Sequence, residues 1–238
     1  MILLGKWTEA DLERLLGESS RIADTGERIA FLSKQFLDTP YREATLTGSN
    51  LTPEILVINL AGVDCFTYLD YIEALRRATS FAEFRENVVK VRYQDGVISY
   101  RTRNHFFTDW VEFNADAVDD VTSMVGRQKT ENITKYLNEK EDGTLFLPDI
   151  PPKKRRLSSI SSENIDDKIV EELKTGDYIG IYTPRAGLDV SHVGILIKSG
   201  SDIYLRHASS AKEYRKVVDQ DFISYIASKP GIIVLRPK

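Results

Sequence analysis

Apolar residues fall at helical spacing across residues 8–37, where Leu12, Leu15 and Leu16, then Ile29, Leu32 and Phe36, form a repeating face. Beyond residue 175 the pattern changes to strand-length apolar runs: Tyr178 to Tyr182, Ser191 to Lys198, Asp202 to Ala208 and Ile232 to Leu235. Helices first and strands later predict an α+β chain, in which helices pack on an antiparallel sheet, rather than a parallel α/β fold. Between these regions, Asp38-Thr39-Pro40 stops the first helices, because the residue before proline avoids the helical basin. Ile55 to Leu60 is a short apolar run, and Gly62-Val63-Asp64-Cys65 leads into a new helix. Val88 to Tyr100 predicts two strands around Gln94-Asp95-Gly96, since Asp-Gly is a hairpin signal. Residues 114–146 are polar and read as helix and loop. Residues 148–162, with three prolines, a basic cluster and several serines, read as a surface loop. The run Lys153-Lys154-Arg155-Arg156 is expected to be solvated there rather than to act as a nuclear localisation patch.

At 238 residues the chain reads as one domain, 1–238, with residues 1–38 as a helical extension and 114–165 as an insertion. Its 42% hydrophobic and 29% charged residues exclude a disordered chain, a collagen repeat and a coiled coil. With 32 basic and 36 acidic residues the net charge is -4, so nucleic acid is not an expected partner. No stretch approaches the roughly 18 apolar residues of a membrane span. The opening Met1-Ile2-Leu3-Leu4-Gly5-Lys6 lacks a basic region and a full apolar core, so it is not a signal peptide as it stands. The protein is then cytosolic, or a leader has been removed.

There is a single cysteine. It makes no intrachain disulfide and no Cys-rich zinc site, so Cys65 is an inert core residue or a reactive thiol. Asp64 is placed to cap a helix whose first residue is Cys65 and whose face continues through Leu69 and Ile72. A thiolate at a helix start gains from the helix dipole and from unpaired N–H groups, which favours a nucleophile and can stabilise an oxyanion. A core cysteine at a helix end is the competing reading.

Two of the three histidines fall on adjacent strands. If Ser199-Gly200 is a two-residue turn, Lys198 faces Ser201 and His192 lies opposite His207. Their face continues as Gly194, Leu205, Leu196 and Ile203 and is expected to point inward, leaving Arg206, Tyr204 and Asp202 on the other. Buried histidines need partners. A cysteine, a base and an orienting third group is the logic of a catalytic triad, although strand pairing alone does not say which histidine is the base.

Four segments, in order, resemble the NlpC-type cell-wall hydrolases, a branch of the papain-like cysteine peptidases, and more closely their N-acetylmuramoyl-L-alanine-amidase-like relatives. They are Thr39-Pro40-Tyr41; Asp64-Cys65; Leu173 to Tyr178 with its Gly176-Asp177 turn; and Ser191-His192-Val193-Gly194-Ile195 with His207-Ala208-Ser209. The resemblance spans residues 39–209. It implies a papain-like fold with the nucleophile helix on an antiparallel sheet, and Cys65 as nucleophile, His192 as base and His207 as the orienting residue. It places Tyr41 near the oxyanion or substrate, and Asp64 and Ser191, beside the catalytic groups, are expected with it to bind substrate. Arg101 to Trp110 matches an aromatic-polar stretch of the closer relatives, so Asn104, His105, Asp109 and Trp110 are expected to line the cleft; a half-buried strand end and helix start is the competing reading. Phe66 stands where the family has a small hydroxyl residue, with Thr67 next.

The implied activity is hydrolysis of an amide in peptidoglycan or a muropeptide, without cofactor or metal, in the cell envelope or periplasm. The bond is that between muramic acid and L-alanine, or alternatively one within the stem peptide. Two other classes compete. Cys65, His105, His192 and His207 can in principle ligate zinc, although no His-Glu-x-x-His spacing is present. A non-catalytic peptidoglycan-binding module is the third reading.

Overall fold

The structure is a computed structural model that describes residues 1–238. In chain order it contains β1 (Ile2–Leu3), α1 (Glu9–Ser19), α2 (Thr25–Lys34), β2 (Ile58–Asn59), α3 (Cys65–Arg76), α4 (Phe81–Arg92), α5 (Asp109–Phe113), β3 (Val118–Asp120), α6 (Thr122–Gly126) and β4 (Thr130–Leu137). There follow β5 (Lys153–Ser161), α7 (Asp167–Glu172), β6 (Tyr178–Tyr182), β7 (Val190–Ser199), β8 (Asp202–Ala208), β9 (Val217–Asp221), α8 (Phe222–Ile226) and β10 (Gly231–Pro237). The main sheet has the order β4-β5-β10-β6-β7-β8-β9, with β3 on β10. The fold is thus mixed, helices first and sheet later, as the periodicity predicts. The backbone forms two compact units, Met1–Asn104 with Arg206–Gln220, and His105–Leu205 with Asp221–Lys238.

In the first unit, α1 to α4 pack on one another around α3. Thr8 and Asp24 cap α1 and α2, and Asp24 breaks what the periodicity reads as one helical region. Every residue of α3 from Thr67 to Arg76 is buried, so the helix has no solvent face. Its charges must therefore be met inside the protein. Glu73 takes two bonds from Arg76, at 2.6 and 2.7 Å. Asp70 takes one at 2.7 Å from Arg92 of α4, whose guanidinium also donates to the Val57 carbonyl at 2.6 Å. Burial pushes the Asp70 carboxyl up to about 6, against the pull of Arg92, so the pair is still charged at neutral pH. The Tyr71 hydroxyl accepts from the Asn59 backbone N–H at 2.8 Å, tying β2 to α3. β2 in turn pairs in parallel with β1.

In the second unit the core face of the sheet carries Ile160, Ile179, Ile181, Leu196, Leu205, Ile232 and Val234, closed by Val121 and Val125, Ile169 and Leu173, and Phe222 and Ile226. β10 lies between β5 and β6 and is antiparallel to both.

Three expectations are overturned. Val88 to Tyr100 is no hairpin. α4 runs through Val88 and Val91, which with Phe81 and Phe84 form a helical stripe, and Asp95-Gly96 turns the chain at the helix end with φ of 53° and 68°. The turn signal was real, but its flanks are not strands. Residues 148–162 are not one loop. From Lys153 they form β5, paired with β4 over eight positions from Leu137↔Lys153 to Thr130↔Ile160, so part of residues 114–146 is strand as well. Burial alternates along Lys153 to Arg156, half-buried and exposed in turn, as pairing with β4 requires and as the proline signal does not reveal. Finally, β7 ends at Ser199 and β8 begins at Asp202, so the turn residues are Gly200, with φ of 63°, and Ser201. The direct opposition of His192 and His207 required a turn one residue earlier and does not follow.

Asp70→Asn leaves Arg92 charged and buried, and is expected to lower unfolding free energy by about 3–5 kcal/mol. Adding Arg92→Met should recover much of the loss. Urea melts of the two single variants and the double variant test this; additive losses would refute the pairing energy.

Candidate functional site

Cys65 is the first residue of α3, as expected, and is half-buried. Asp64 caps the helix. Its Oδ1 accepts from the backbone N–H of Phe66 at 3.0 Å and of Thr67 at 2.7 Å, and from the Thr67 hydroxyl at 2.8 Å. Thr67 answers by accepting from the Asp64 N–H at 3.1 Å, which completes a capping box. The hydroxyl that the motif lacks directly after the cysteine thus serves two residues on, as part of the cap. Phe66 keeps only its backbone in this arrangement.

The segment ahead of the helix is held from both sides. Tyr41 pairs in parallel with Val63, through Val63 N–H to Pro40 at 3.0 Å and Arg42 N–H to Val63 at 2.9 Å. On its other side the Tyr41 N–H donates to the Arg215 carbonyl at 2.8 Å, and Pro40 bridges Lys216. Since Val63 lies two residues before Cys65, Tyr41 is fixed alongside the start of α3. Burial pushes its phenol upward, and the negative charges of Cys65, Asp64 and Glu43 add to that; the Arg215 guanidinium opposes it. That guanidinium lies over the Tyr41 ring, 4.8 Å from its centre.

His207 is buried on β8, with Nε2 2.7 Å from the side-chain oxygen of Gln220 on β9. Beside it, Arg206 is buried rather than on the exposed face the strand alternation predicts. Asp219 takes two bonds from it at 2.7 Å, and it also donates to Ala30 and Ser33. A strand covered on both faces defeats the alternation rule. Asn104 is also buried. Its backbone N–H donates to the Arg92 carbonyl at 2.8 Å and its side-chain amide to that of Val91 at 2.9 Å, so its donors close the end of α4.

The second unit holds the other predicted groups. His192 is half-buried on β7, its ring 6.3 Å from that of Tyr225. On β6, Ile181 pairs with His192 and Tyr182 with Val190, so Ser191 is the extra residue of a β-bulge. Bulges bend a strand and re-aim the neighbouring side chain. Ser191 is exposed, and its hydroxyl donates to the Ile181 carbonyl at 3.4 Å. Just upstream, the buried Asp189 accepts from the Thr108 N–H at 2.8 Å and hydroxyl at 2.9 Å, while burial raises its carboxyl above the usual range.

That contact anchors the aromatic-polar stretch. Asp109 takes the backbone N–H groups of His105 and Phe106, both at 3.1 Å, on one oxygen and Arg155 at 2.9 Å on the other. Arg155 also holds the Thr108 carbonyl. Trp110 is fully buried, edge-on to Tyr178 with ring centres 5.6 Å apart. Asp109 and Trp110 therefore shape the segment from inside it, and His105 is the half-exposed member. Gln220, Tyr225, Asp189 and Arg215 were not singled out from the sequence. Only Asp189, two residues before the Ser191-His192 motif, carried any local signal.

No three His, Cys, Asp or Glu side chains converge in a geometry suited to a metal ion. No helix is long and apolar enough to cross a membrane.

A family model described as AmiA-like, N-acetylmuramoyl-L-alanine amidase-like, matches residues 31–232. The chain is similar to two crystal structures of an N-acetylmuramoyl-L-alanine amidase from Bacteroides uniformis ATCC 8492, with 28% and 27% identity and TM-scores of 0.74 and 0.75. Each match covers 90% of this chain and 99% of the other. A Legionella pneumophila protein of family model DUF1460 shares the fold, with 24% identity, a TM-score of 0.79, and coverage of 96% of this chain and 94% of the other. No curated protein matches.

Two substitutions check the local architecture. Asp64→Ala removes the cap and is expected to cost about 0.5–2 kcal/mol of stability in thermal or urea unfolding. Gly180→Ala places a Cβ 2.6 Å from the Phe107 ring, and overpacking of this kind costs about 1–3 kcal/mol. A Gly180→Ala melt equal to wild type would refute the close approach.

Proposed function

The chain belongs to the AmiA-like, N-acetylmuramoyl-L-alanine amidase-like family, whose members are amidase-like peptidoglycan hydrolases, and on that premise we propose that it cleaves the amide between muramic acid and L-alanine by cysteine catalysis. The observation that carries this reading is Cys65 at the capped start of α3, half-buried, with Tyr41 fixed alongside.

In this reading the Cys65 sulfur, deprotonated by His192, attacks the carbonyl carbon of the muramoyl lactyl group. The C–N bond breaks, His192 returns the proton to the L-alanine nitrogen, and the peptide leaves with a free amine. Water, with His192 now as base, hydrolyses the thioester and regenerates the thiol. The positive end of the α3 dipole and the Tyr41 hydroxyl support the oxyanion that forms in both steps. His207 orients His192, and Gln220 holds His207. Asp64 fixes the helix start, Ser191 aims His192 through the bulge, and His105 contacts substrate. Asn104, Asp109 and Trp110 act by positioning that segment. A Cys65, His192 and His207 triad is what an NlpC-type, papain-like enzyme would use, and a peptidoglycan substrate would set its work in the cell envelope.

Cys65→Ala is expected to abolish release of stem peptide from a defined muropeptide, a fall of at least about 10⁴-fold. Mass spectrometry of the products separates the two bonds. Free muramic acid and an intact stem peptide support the amidase reading, and a shortened peptide still attached to muramic acid would replace it with an endopeptidase. Full activity of Cys65→Ala would sink cysteine catalysis altogether.

A further inference from the structure

We propose that Arg215 binds a free carboxylate of the stem peptide, a specificity that deepens the hydrolase reading above and rests on it.

Three observations converge on this residue. First, Arg215 has a left-handed backbone, with φ of 48°. A side chain there is strained, and glycine takes the conformation without cost. The loop enforces it: Ser209 N–H bonds Lys216, and both Tyr214 and Arg215 N–H groups bond Ala211, at 2.9 to 3.0 Å. Strain retained where glycine would relieve it points to work done by the side chain. Second, the guanidinium is placed over Tyr41, whose backbone is tied to the chain that leads into Cys65. The Arg215 carbonyl holds the Tyr41 backbone, and its guanidinium carbon lies over the Tyr41 ring, 4.8 Å from its centre. Tyr41 in turn is bridged to Val63, directly ahead of Asp64 and Cys65. Third, Arg215 is exposed and its guanidinium rests on an uncharged ring rather than on a carboxylate of the protein. The ring holds the guanidinium on one side, and the exposed side chain leaves its N–H groups accessible to a ligand. A planar fork with a free edge matches a carboxylate in two parallel bonds. Stem peptides carry such groups, on the glutamyl residue and at the C-terminus, and both are lost when converted to primary amides.

The test compares three muramoyl peptides: one with both carboxylates free, one amidated only at the glutamyl carboxylate, and one amidated only at the C-terminus. Wild type, Arg215→Ala, Arg215→Lys and Arg215→Gly are assayed on each. On the free peptide Arg215→Ala is expected to raise KM about ten- to hundredfold, with kcat within about twofold, and Arg215→Lys to fall between. On one amidated peptide the gap between wild type and Arg215→Ala should close, and that peptide identifies the carboxylate. Arg215→Gly is expected to melt no lower than wild type while showing the same rise in KM. An unchanged KM, or a deficit equal on all three peptides, would overturn the proposal. The same comparison made as Kd by calorimetry on Cys65→Ala separates the two readings. Carboxylate-dependent binding without turnover in the wild type sinks the hydrolase reading alone, whereas turnover with no carboxylate dependence sinks Arg215 alone.

Discussion

The contact between Asp70 and Arg92 governs the first unit because α3 has no solvent face on which to leave a charge. A helix buried on all sides is ordinarily apolar. This one carries Asp70, Glu73 and Arg76, and each requires a partner within the protein. Arg92 meets Asp70, reaches back to Val57 ahead of β2, and lies over the Tyr71 ring at 5.3 Å. One guanidinium thus joins α4, α3 and the chain entering the nucleophile segment. The joint is not optimised for stability, since Asp70 Oδ1 and Arg92 Nη2 are buried without partners. An apolar pair of the same volume would hold the helices as well. What the ion pair adds is direction: it fixes how α4 is turned against α3, and with it where Asn104 and the chain after it leave the unit.

Within each unit the candidate residues are placed by backbone bonds more than by side chains. Tyr41 is located by pairing with Val63 and Arg215, and Cys65 by being the residue after a cap. His192 is set by a bulge at Ser191, and His105 by two backbone N–H groups on Asp109. Cys65, His192 and His105 are half-buried, while Thr67 and Asp109, which hold the backbone beside Cys65 and His105, are buried.

The sequence made legible whatever depends on neighbours along the chain. The Asp64 cap, Cys65 at the helix start, and the strands at Tyr178 and Asp202 follow from local spacing and are found where the spacing puts them. What it hid depends on partners far away. Lys153 to Arg156 read as a solvated loop because nothing local says that Thr130–Leu137 pairs with it or that Arg155 meets Asp109. Asp95-Gly96 gave a true turn and a false hairpin, because a turn signal does not specify its flanks. Arg206 was assigned to the outer face because two-residue periodicity has no way to announce Asp219 and α2 above it.

The same reasoning explains why the predicted site residues divide as they do. Asp109 and Trp110 look like site residues in sequence, since a carboxylate and an indole beside a histidine suggest recognition. Both are nearly or fully buried, with the carboxylate saturated by backbone and Arg155. Arg215 attracts no notice in sequence, being one arginine in a polar loop, yet it is one of seven non-glycine residues with positive φ and its guanidinium lies over the Tyr41 ring. Residue type alone ranks these the wrong way round. Burial shows which polar groups are already committed to the fold, and strain shows which side chain the fold retains at a cost. A group that is neither saturated nor relaxed is the one available to a substrate.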